Sequence, residues 1–419
     1  MTVSTPKFYT QTMQSYLPLL GLTALALASA QPGLAQSSDP AEAAAREALF
    51  ASCGSVEAGT LPTGITPGIY QGKLGTQPIS LELTASTAQQ ISDHPELHHP
   101  DRYSYDRYGP DIVLERGRAA NRTAGYALSA VEAVNDFGDQ SARGCLDLSA
   151  DGAALRGQWR SPDGSKRLPV SLSRVDVAAL PLALPSSPGL LGLRKTDPFT
   201  FLRLNHPWKK VAGGLEEPLT GVGYPRVAGG AAALNAALQD RQLTLAGYAL
   251  DCRGGSGVGV NQKSQTDFSG AATLTFNRGG LVSLAESVEY YCGGAHPDSY
   301  TTGVTLDART GREVPLVGKP GTLWPGLGAR KVQALYLAGY GTESGSPDVE
   351  CRALMSGEDG RSSEYPAFQT YLTAGGLAVW PGFLPHVAGA CAEVVTVPYA
   401  KLRSLADARS PYFRDLYPR

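Results

Sequence analysis

The chain is short of charge, and nowhere does charge of one sign gather. Only 18% of its 419 residues are charged, and the 36 basic and 38 acidic side chains are scattered, leaving a formal net charge of -2. Nucleic-acid binders concentrate basic residues because phosphate neutralisation dominates their affinity. That class is excluded, and no nucleic acid is expected as a partner. No two cysteines are spaced C-x-x-C, which removes zinc ribbons and thioredoxin-like redox sites. A G-x-S-x-G nucleophile elbow is also missing. The run GGSGVGVNQ (254–262) lacks the lysine of a phosphate-binding loop and is read as a flexible loop. No repeat of solenoid or propeller length is visible.

Long apolar runs are scarce too. One stretch, Leu17 to Ala28, ends in small residues, with Ala28 and Ala30 at the -3 and -1 positions of a cleavage site and only Lys7 before it. A second cut fits after Ala35, with Gly33 at -3. The blander alternative is a buried helix, but the terminal position favours a signal peptide over residues 1–35. The run falls short of the roughly 18 apolar residues of a membrane span, and no second candidate exists. No cysteine follows it closely enough for a lipid anchor. The expectation is an exported protein, periplasmic or extracellular, with no membrane span in the mature chain.

What is abundant is glycine (49) and proline (30), a mix that suits many short strands and turns. The length favours two domains. Residues 36–59 read as a linker helix, capped by Asp39 with Pro40 at its first position and leading to Cys53. From 60 to 176 the texture alternates, with turn signals at Tyr108-Gly109-Pro110, Asp151-Gly152 and Asp163-Gly164. Six to eight antiparallel strands are expected there, as a barrel or sandwich. The Pro/Leu-rich segment 177–198 reads as a linker whose leucines pack on a neighbour. Residues 199–408 carry helices at about 231–241 and 326–341 among strands, including one over TLAGYALDCR, and 409–419 form a C-terminal tail. The fold class is therefore α+β: an N-terminal antiparallel β-barrel or sandwich domain, then an α+β domain with an antiparallel sheet and packed helices.

Six cysteines, Cys53, Cys145, Cys252, Cys292, Cys351 and Cys391, in an exported chain favour disulfides. Six allow fifteen connectivities, which the sequence leaves open. The sequential pairing 53–145, 252–292 and 351–391 is taken as the expectation. Its first bridge would tie the linker helix to the β-domain, and the others would join neighbouring strands. Each could add roughly 2–4 kcal/mol.

Three ordered motifs carry a resemblance. Tyr290-x-Cys292-Gly293-Gly294-Ala295-His296-Pro297 is followed by a strand and then by Leu306-Asp307-x-x-Thr310-Gly311-Arg312-Glu313-Val314-x-Leu316. An earlier element holds Tyr224, Pro225, Val227, Gly229, Leu234 and Asn235, and a late one runs from Gly382 to Gly389 and on through Val395, Val397, Pro398, Tyr399 and Leu402. Together they resemble the RsiV-like extracellular domain family, over about residues 199–408. That family includes the extracytoplasmic part of the RsiV anti-sigma factor and the accessory domain of PdaC-type peptidoglycan deacetylases. The resemblance implies a cell-envelope binding and sensing domain that contacts a lysozyme-like protein or peptidoglycan. The membrane-coupled signalling role and the deacetylase chemistry are not carried over.

Among individual residues, His296 is the sharpest catalytic candidate, with Asp298 and Glu289 as carboxylates that could orient it. The alternative makes the loop structural, with Gly293 and Gly294 permitting close strand approach. The structural reading is preferred. His296, Asp298 and Tyr300 are then ligand-contacting candidates, and Gly293, Gly294, Thr310, Gly311, Pro398 and Tyr399 are structural motif residues. The stretch SDHPELHHPDRYSY gathers His94, His98 and His99 with Asp93, Glu96 and Asp101. Pro95 and Pro100 argue for an exposed loop over a metal site. Tyr103, Tyr105, Tyr108 and Trp159 form either a sugar-stacking platform or strand packing, and packing is preferred. No catalytic residue, metal or cofactor is assigned. The function expected is a non-enzymatic envelope-binding protein, with a cell-wall hydrolase built on His296 as the rival.

Overall fold

The computed structural model describes residues 40–87, 90, 99–120, 126–136, 139–255, 267–292, 296–341, 349–356, 368–382, 384 and 386–418. The signal-peptide reading, the Asp39 cap, the His94 and His98 stretch, and Gly293 and Gly294 lie outside the described residues. Helix α1 (Pro40–Ser52) is followed by ten strands: β1 (Ser55–Glu57), β2 (Gly68–Leu74), β3 (Gln77–Leu83), β4 (Asp101–Tyr105), β5 (Ile112–Glu115), β6 (Gly117–Ala119), β7 (Leu128–Asp136), β8 (Asp139–Asp151), β9 (Ala154–Arg160) and β10 (Arg167–Arg174). β1 and β6 pair with each other, while the remaining eight close into an antiparallel barrel in the order β2-β3-β4-β5-β7-β8-β9-β10. The alternation seen in sequence is what closes it. Tyr70, Leu74, Ile79, Leu81, Tyr103, Leu128, Leu146, Leu148 and Leu155 all point inward and are buried. A barrel of this size is filled by its own side chains.

α1 lies on the outer surface, where Leu49, Phe50 and Cys53 pack on Val131 and Cys145. The Cys53–Cys145 disulfide fixes it there, with Cα atoms 5.6 Å apart. The bridge spans 92 positions, and closing a loop of that length in the unfolded chain is worth about 4–5 kcal/mol in the chain-entropy account.

The second half opens with α2 (Pro188–Thr196) and α3 (Pro198–Leu204), so the expected linker carries a helix of its own. Ser187 caps α2 through Leu190 N, and Leu184 and Leu190 are buried. Three short strands follow, β11 (Lys209–Val211), β12 (Gly214–Glu216) and β13 (Gly223–Pro225), then α4 (Ala232–Gly255). α4 overturns the expectation of a strand over TLAGYALDCR. Leu243 and Leu245 mimic alternation, but the buried set Leu234, Leu238, Gln242, Leu245, Ala249 and Cys252 recurs every three or four residues, which is the helical period. Strands β14 (Asp267–Arg278), β15 (Leu281–Tyr291) and β16 (Asp298–Asp307) complete a six-stranded sheet, β11 to β16 in order. α4 covers one face of it over Val282, Leu284, Val288, Val304 and Leu306.

A third layer follows. Helices α5 (Ala329–Gly339) and α6 (Val349–Ser356) precede β17 (Phe368–Leu372), β18 (Gly376–Pro381) and β19 (Val395–Pro398), then α7 (Tyr399–Leu402) and α8 (Phe413–Leu416). β17 crosses the other face of the larger sheet. Leu372 N donates to Ser283 Oγ at 2.9 Å, and a Cβ at Gly303 would stand 2.3 Å from Thr370 O. Trp324 and Tyr336 centre this core, and Trp324 Nε1 donates to Tyr417 Oη at 3.0 Å, so the last residues are part of it. The other two disulfides are also sequential: Cys252–Cys292 and Cys351–Cys391. They do not join neighbouring strands as expected. The first ties α4 to the end of β15, and the second ties α6 to the 3-10 turn His386–Cys391.

Barrel and second half meet at a buried ionic junction. Arg102 in β4 donates to Glu82 (2.7 Å), Asp111 (3.0 Å) and Asp197 (2.8 Å). Arg203 in α3 donates to Gly109 O at 2.8 Å and to the other oxygen of Asp111. Both guanidiniums lie over the Phe199 ring, at 4.9 and 4.7 Å from its centroid. Asp197 also accepts from Thr200 N as the N-cap of α3. Burial opposes its ionisation, but Arg102 and the Thr200 donors hold its carboxyl below the usual range. His99 stands at the edge of this cluster, its imidazole pushed down by burial and by Arg102. Asp111 serves both arginines, and removing one partner of a buried pair strands the other charge. Asp111→Asn is therefore expected to lower stability by about 3–5 kcal/mol in urea denaturation; a loss under about 1 kcal/mol would show that the junction is not a stability determinant.

A second buried carboxylate carries a pH dependence. Glu217 accepts from Leu219 N and from Thr220 N and Oγ1, and lies 2.9 Å from His206 Nε2. That contact raises the His206 pKa against the opposing effect of burial. Glu217 is held low by His206 and Thr220 although burial pushes it up. A raised histidine pKa contributes stability that is fully present below the unfolded value of about 6.5 and is lost as pH rises through the folded value. The depressed Glu217 contributes above about 4.3 and loses its share as pH falls. In wild type minus His206→Gln, the stability difference should be largest near pH 5–6 and shrink towards pH 9. A difference that is flat across that range would contradict the assignment.

Candidate functional site

The ends of β14, β15 and β16 form an exposed platform at one end of the sheet, with Glu289 and its partners on the face turned away from α4. Register sets Ser269 opposite Glu289 and Glu289 opposite Ser299, a cross-strand row of short polar side chains around one carboxylate. Val288 and Tyr290, the neighbours of Glu289 in β15, pack towards α4 instead, as strand alternation requires. Asp267 at the start of β14 and Asp298 at the start of β16 stand on either side. The result is a cleft of about 270 Å³ lined by Asp267, Ser269, Glu289, Tyr290, Pro297, Asp298 and Ser299. Among the described residues three carboxylates and no basic side chain line it, and these acids give it a negative potential. Asp298 Oδ1 accepts from Ser299 N at 2.7 Å, which fixes its orientation.

The expected site residues are dispersed around this cleft. His296 is exposed, its Nδ1 lies 3.0 Å from Pro297 O, and it is not part of the lining. Tyr300 is on the α4 side, its ring edge-on to Tyr290 at 6.2 Å. Its hydroxyl is pushed up to about 12 by burial, with Tyr248, Glu286 and Tyr290 adding. Of the three ligand-contacting candidates, only Asp298 therefore lines the cleft. The Cys252–Cys292 bridge, with Cα atoms 4.7 Å apart, anchors the end of β15 to α4 immediately before the His296 loop. Arg253 next to it donates to Leu219 O and Thr220 O, fixing the end of the helix.

The motif residues hold the frame. Tyr224 donates to Glu286, whose carboxylate also takes a two-pronged contact from Arg241 at 2.5 and 2.7 Å. The Asn235 side chain accepts from Val227 N and donates to Val227 O, pinning the entry to α4. Asp307 Oδ1 accepts from Arg309 N, Thr310 N and Thr310 Oγ1, and Tyr412 Oη donates to its Oδ2. Although burial opposes it, these donors bring the Asp307 carboxyl down to about 2. Gly311 has φ +67°, and a Cβ there would lie 2.4 Å from Ala233 O, so no other residue fits this turn without a shift. Pro398 ends β19 opposite Gly376. Tyr399 stacks on Trp324 and donates to Thr373 O at 2.7 Å.

In the barrel, Tyr103 is buried and, like Trp159 Nε1, donates to Glu132 Oε1 at 2.5 Å. Burial pushes the Glu132 carboxyl up, against these donors. These aromatics pack; only Tyr108 among them is exposed. Among the described residues no group of three or more His, Cys, Asp or Glu could hold a metal ion. Sequence reasoning had singled out Asp298 and Glu289 but missed Asp267, Ser269 and Ser299. Only the strand register brings them together.

No family model matches the chain, and no curated protein matches it. Among solved structures it is similar to a member of the DUF3298 family from Bacteroides fragilis, at 14% identity and a TM-score of 0.29, over 43% of this chain and 69% of that one. It is also similar to a DUF3298 family protein from Pseudomonas aeruginosa, at 18% identity and a TM-score of 0.26, over 34% of this chain and 63% of that one. The chain thus covers less than two thirds of the Pseudomonas protein. Likeness at this level carries no information about activity.

Proposed function

We propose that this is an exported, non-enzymatic envelope-binding protein related to the RsiV-like domains, and that it recognises a basic, lysozyme-like protein through the acidic cleft. The observation that carries this reading is the cleft's lining: Asp267, Glu289 and Asp298 with hydroxyls and, among the described residues, no cation. An uncompensated cluster of this kind attracts a cationic surface and steers its approach. A neutral cell-wall glycan would draw only hydrogen bonds from the same groups. Three disulfides suit an oxidising compartment, and no helix among the described residues is long and apolar enough to cross a membrane. The rival hydrolase calls for His296 to face a carboxylate across a pocket; here the imidazole stands outside the lining, which favours binding over catalysis.

The test is affinity for a purified basic lysozyme, measured by biolayer interferometry at several salt concentrations. Wild type should bind, with affinity falling steeply as salt rises. The triple variant Asp267→Asn, Glu289→Gln, Asp298→Asn should bind about tenfold or more weakly at low salt, mainly through slower association. Equal binding by the two proteins would sink the cleft assignment. Hydrolysis of peptidoglycan by wild type that His296→Ala abolishes would sink the non-enzymatic reading.

A further inference from the structure

A second cleft lies between the motif hairpin and the C-terminal segment. Its volume is about 530 Å³, within the range of roughly 300–1,000 Å³ typical of small-molecule sites. One wall is the hairpin from Asp307 to Pro315, another the turn at Gly321 to Leu323, and the third the segment Asp407 to Tyr412. The charges in it are unevenly compensated. Asp307 is saturated by the hairpin donors and by Tyr412. Asp407 accepts from Arg409 N and Nε. Glu313 faces Arg241 at 4.0 Å. Arg312 differs, because its exposed guanidinium contacts no carboxylate among the described residues. Asp307 and Asp407 have their donors, the exposed Glu313 reaches Arg241 only at 4.0 Å, and among the described residues lining the cleft Arg312 is the cation without a carboxylate partner.

We propose that this cleft binds a saccharide bearing a carboxylate, with Arg312 as the partner of that carboxylate. A guanidinium offers a planar fork of N–H groups that matches a carboxylate in two-pronged geometry. The remaining lining suits a sugar ring better than a peptide chain. Pro315, Pro411 and Tyr412 supply apolar lining, and Ser410 supplies a hydroxyl. Tyr412 is held in place by its bond to Asp307 at 2.7 Å, so the aromatic wall is positioned before any ligand arrives. The inference is independent of the acidic cleft, which is lined by different residues and selects the opposite charge.

The experiment is calorimetric titration of the intact, oxidised chain with N-acetylmuramic acid, N-acetylglucosamine and N-acetylalanine. The first two differ by a carboxylate-bearing substituent, and the third supplies a carboxylate without a sugar. N-acetylmuramic acid should bind about tenfold or more tightly than either of the others. Arg312→Gln should bring it down to the level of N-acetylglucosamine. Because Arg312 is exposed, the variant should keep the wild-type unfolding midpoint. Equal affinity for the two sugars, no binding of the acid sugar, or an undiminished preference in Arg312→Gln would each overturn the proposal. Binding of N-acetylalanine as tight as that of the acid sugar would overturn the saccharide assignment.

Discussion

Two guanidiniums buried between the barrel and the helices of the second half have to be neutralised where they stand. Arg102 meets three carboxylates and Arg203 shares one of them, Asp111, while both rest over Phe199. Desolvating such ions costs several kcal/mol apiece unless partners and hydrogen bonds are complete. The geometry that supplies those partners is narrow, and it leaves only Arg203 Nε, among the guanidinium nitrogens of the pair, buried without one. β4 and the turn after it must face α3 at one distance and one rotation. An apolar contact alone, such as Ile69 within the cluster of Leu190, Phe199 and Leu250, tolerates sliding; this junction does not. It makes one body of two parts that composition describes separately.

From the junction the constraint passes along α4. Leu250 lies near Gly109 and Gly254 near Asp111, so the C-terminal end of the helix rests against the barrel turn. Between those two residues Cys252 is bonded to Cys292, which directly follows β15. The carboxylates of the acidic cleft sit within a few residues of that bridge. The cleft is thus held from behind by a helix that is itself held by the barrel. Binding surfaces placed on sheet ends with rigid backing lose less entropy on association than free loops. In the binding function proposed above, this would give the barrel a part in positioning the cleft.

Much of the fold was legible. Two-residue alternation and Asp-Gly turns marked the barrel strands, because a half-buried strand exposes its period directly. The length of α4 was not, since Leu243 and Leu245 are both buried and their two-residue spacing imitates a strand. The motif residues were legible as a pattern, and their roles proved local: Asp307 and Thr310 close a turn, and Asn235 pins a loop. The junction was illegible for a physical reason. Arg102 and Asp197 are 95 positions apart, and Arg203 and Asp111 are 92 apart, so no spacing rule links them. The acidic cleft was half legible. Glu289 and Asp298 drew notice beside His296, while Asp267 joins them only through the pairing of β14 with β15. The histidine attracted attention because its chemistry is versatile, yet the strand ends, with Pro297 beside them, line the concave surface and His296 does not.

The central claim is that the ionic junction makes barrel, helices and cleft one cooperative unit. Native-state hydrogen exchange across a urea series, read by mass spectrometry on the intact chain, tests it most directly. The account predicts that the slowest amides of β7 and β8 in the barrel and of α4 and β15 in the second half converge on the same opening free energy. They should also share the same urea dependence. Barrel amides that exchange through a separate transition, with lower free energy and smaller urea dependence, would contradict it.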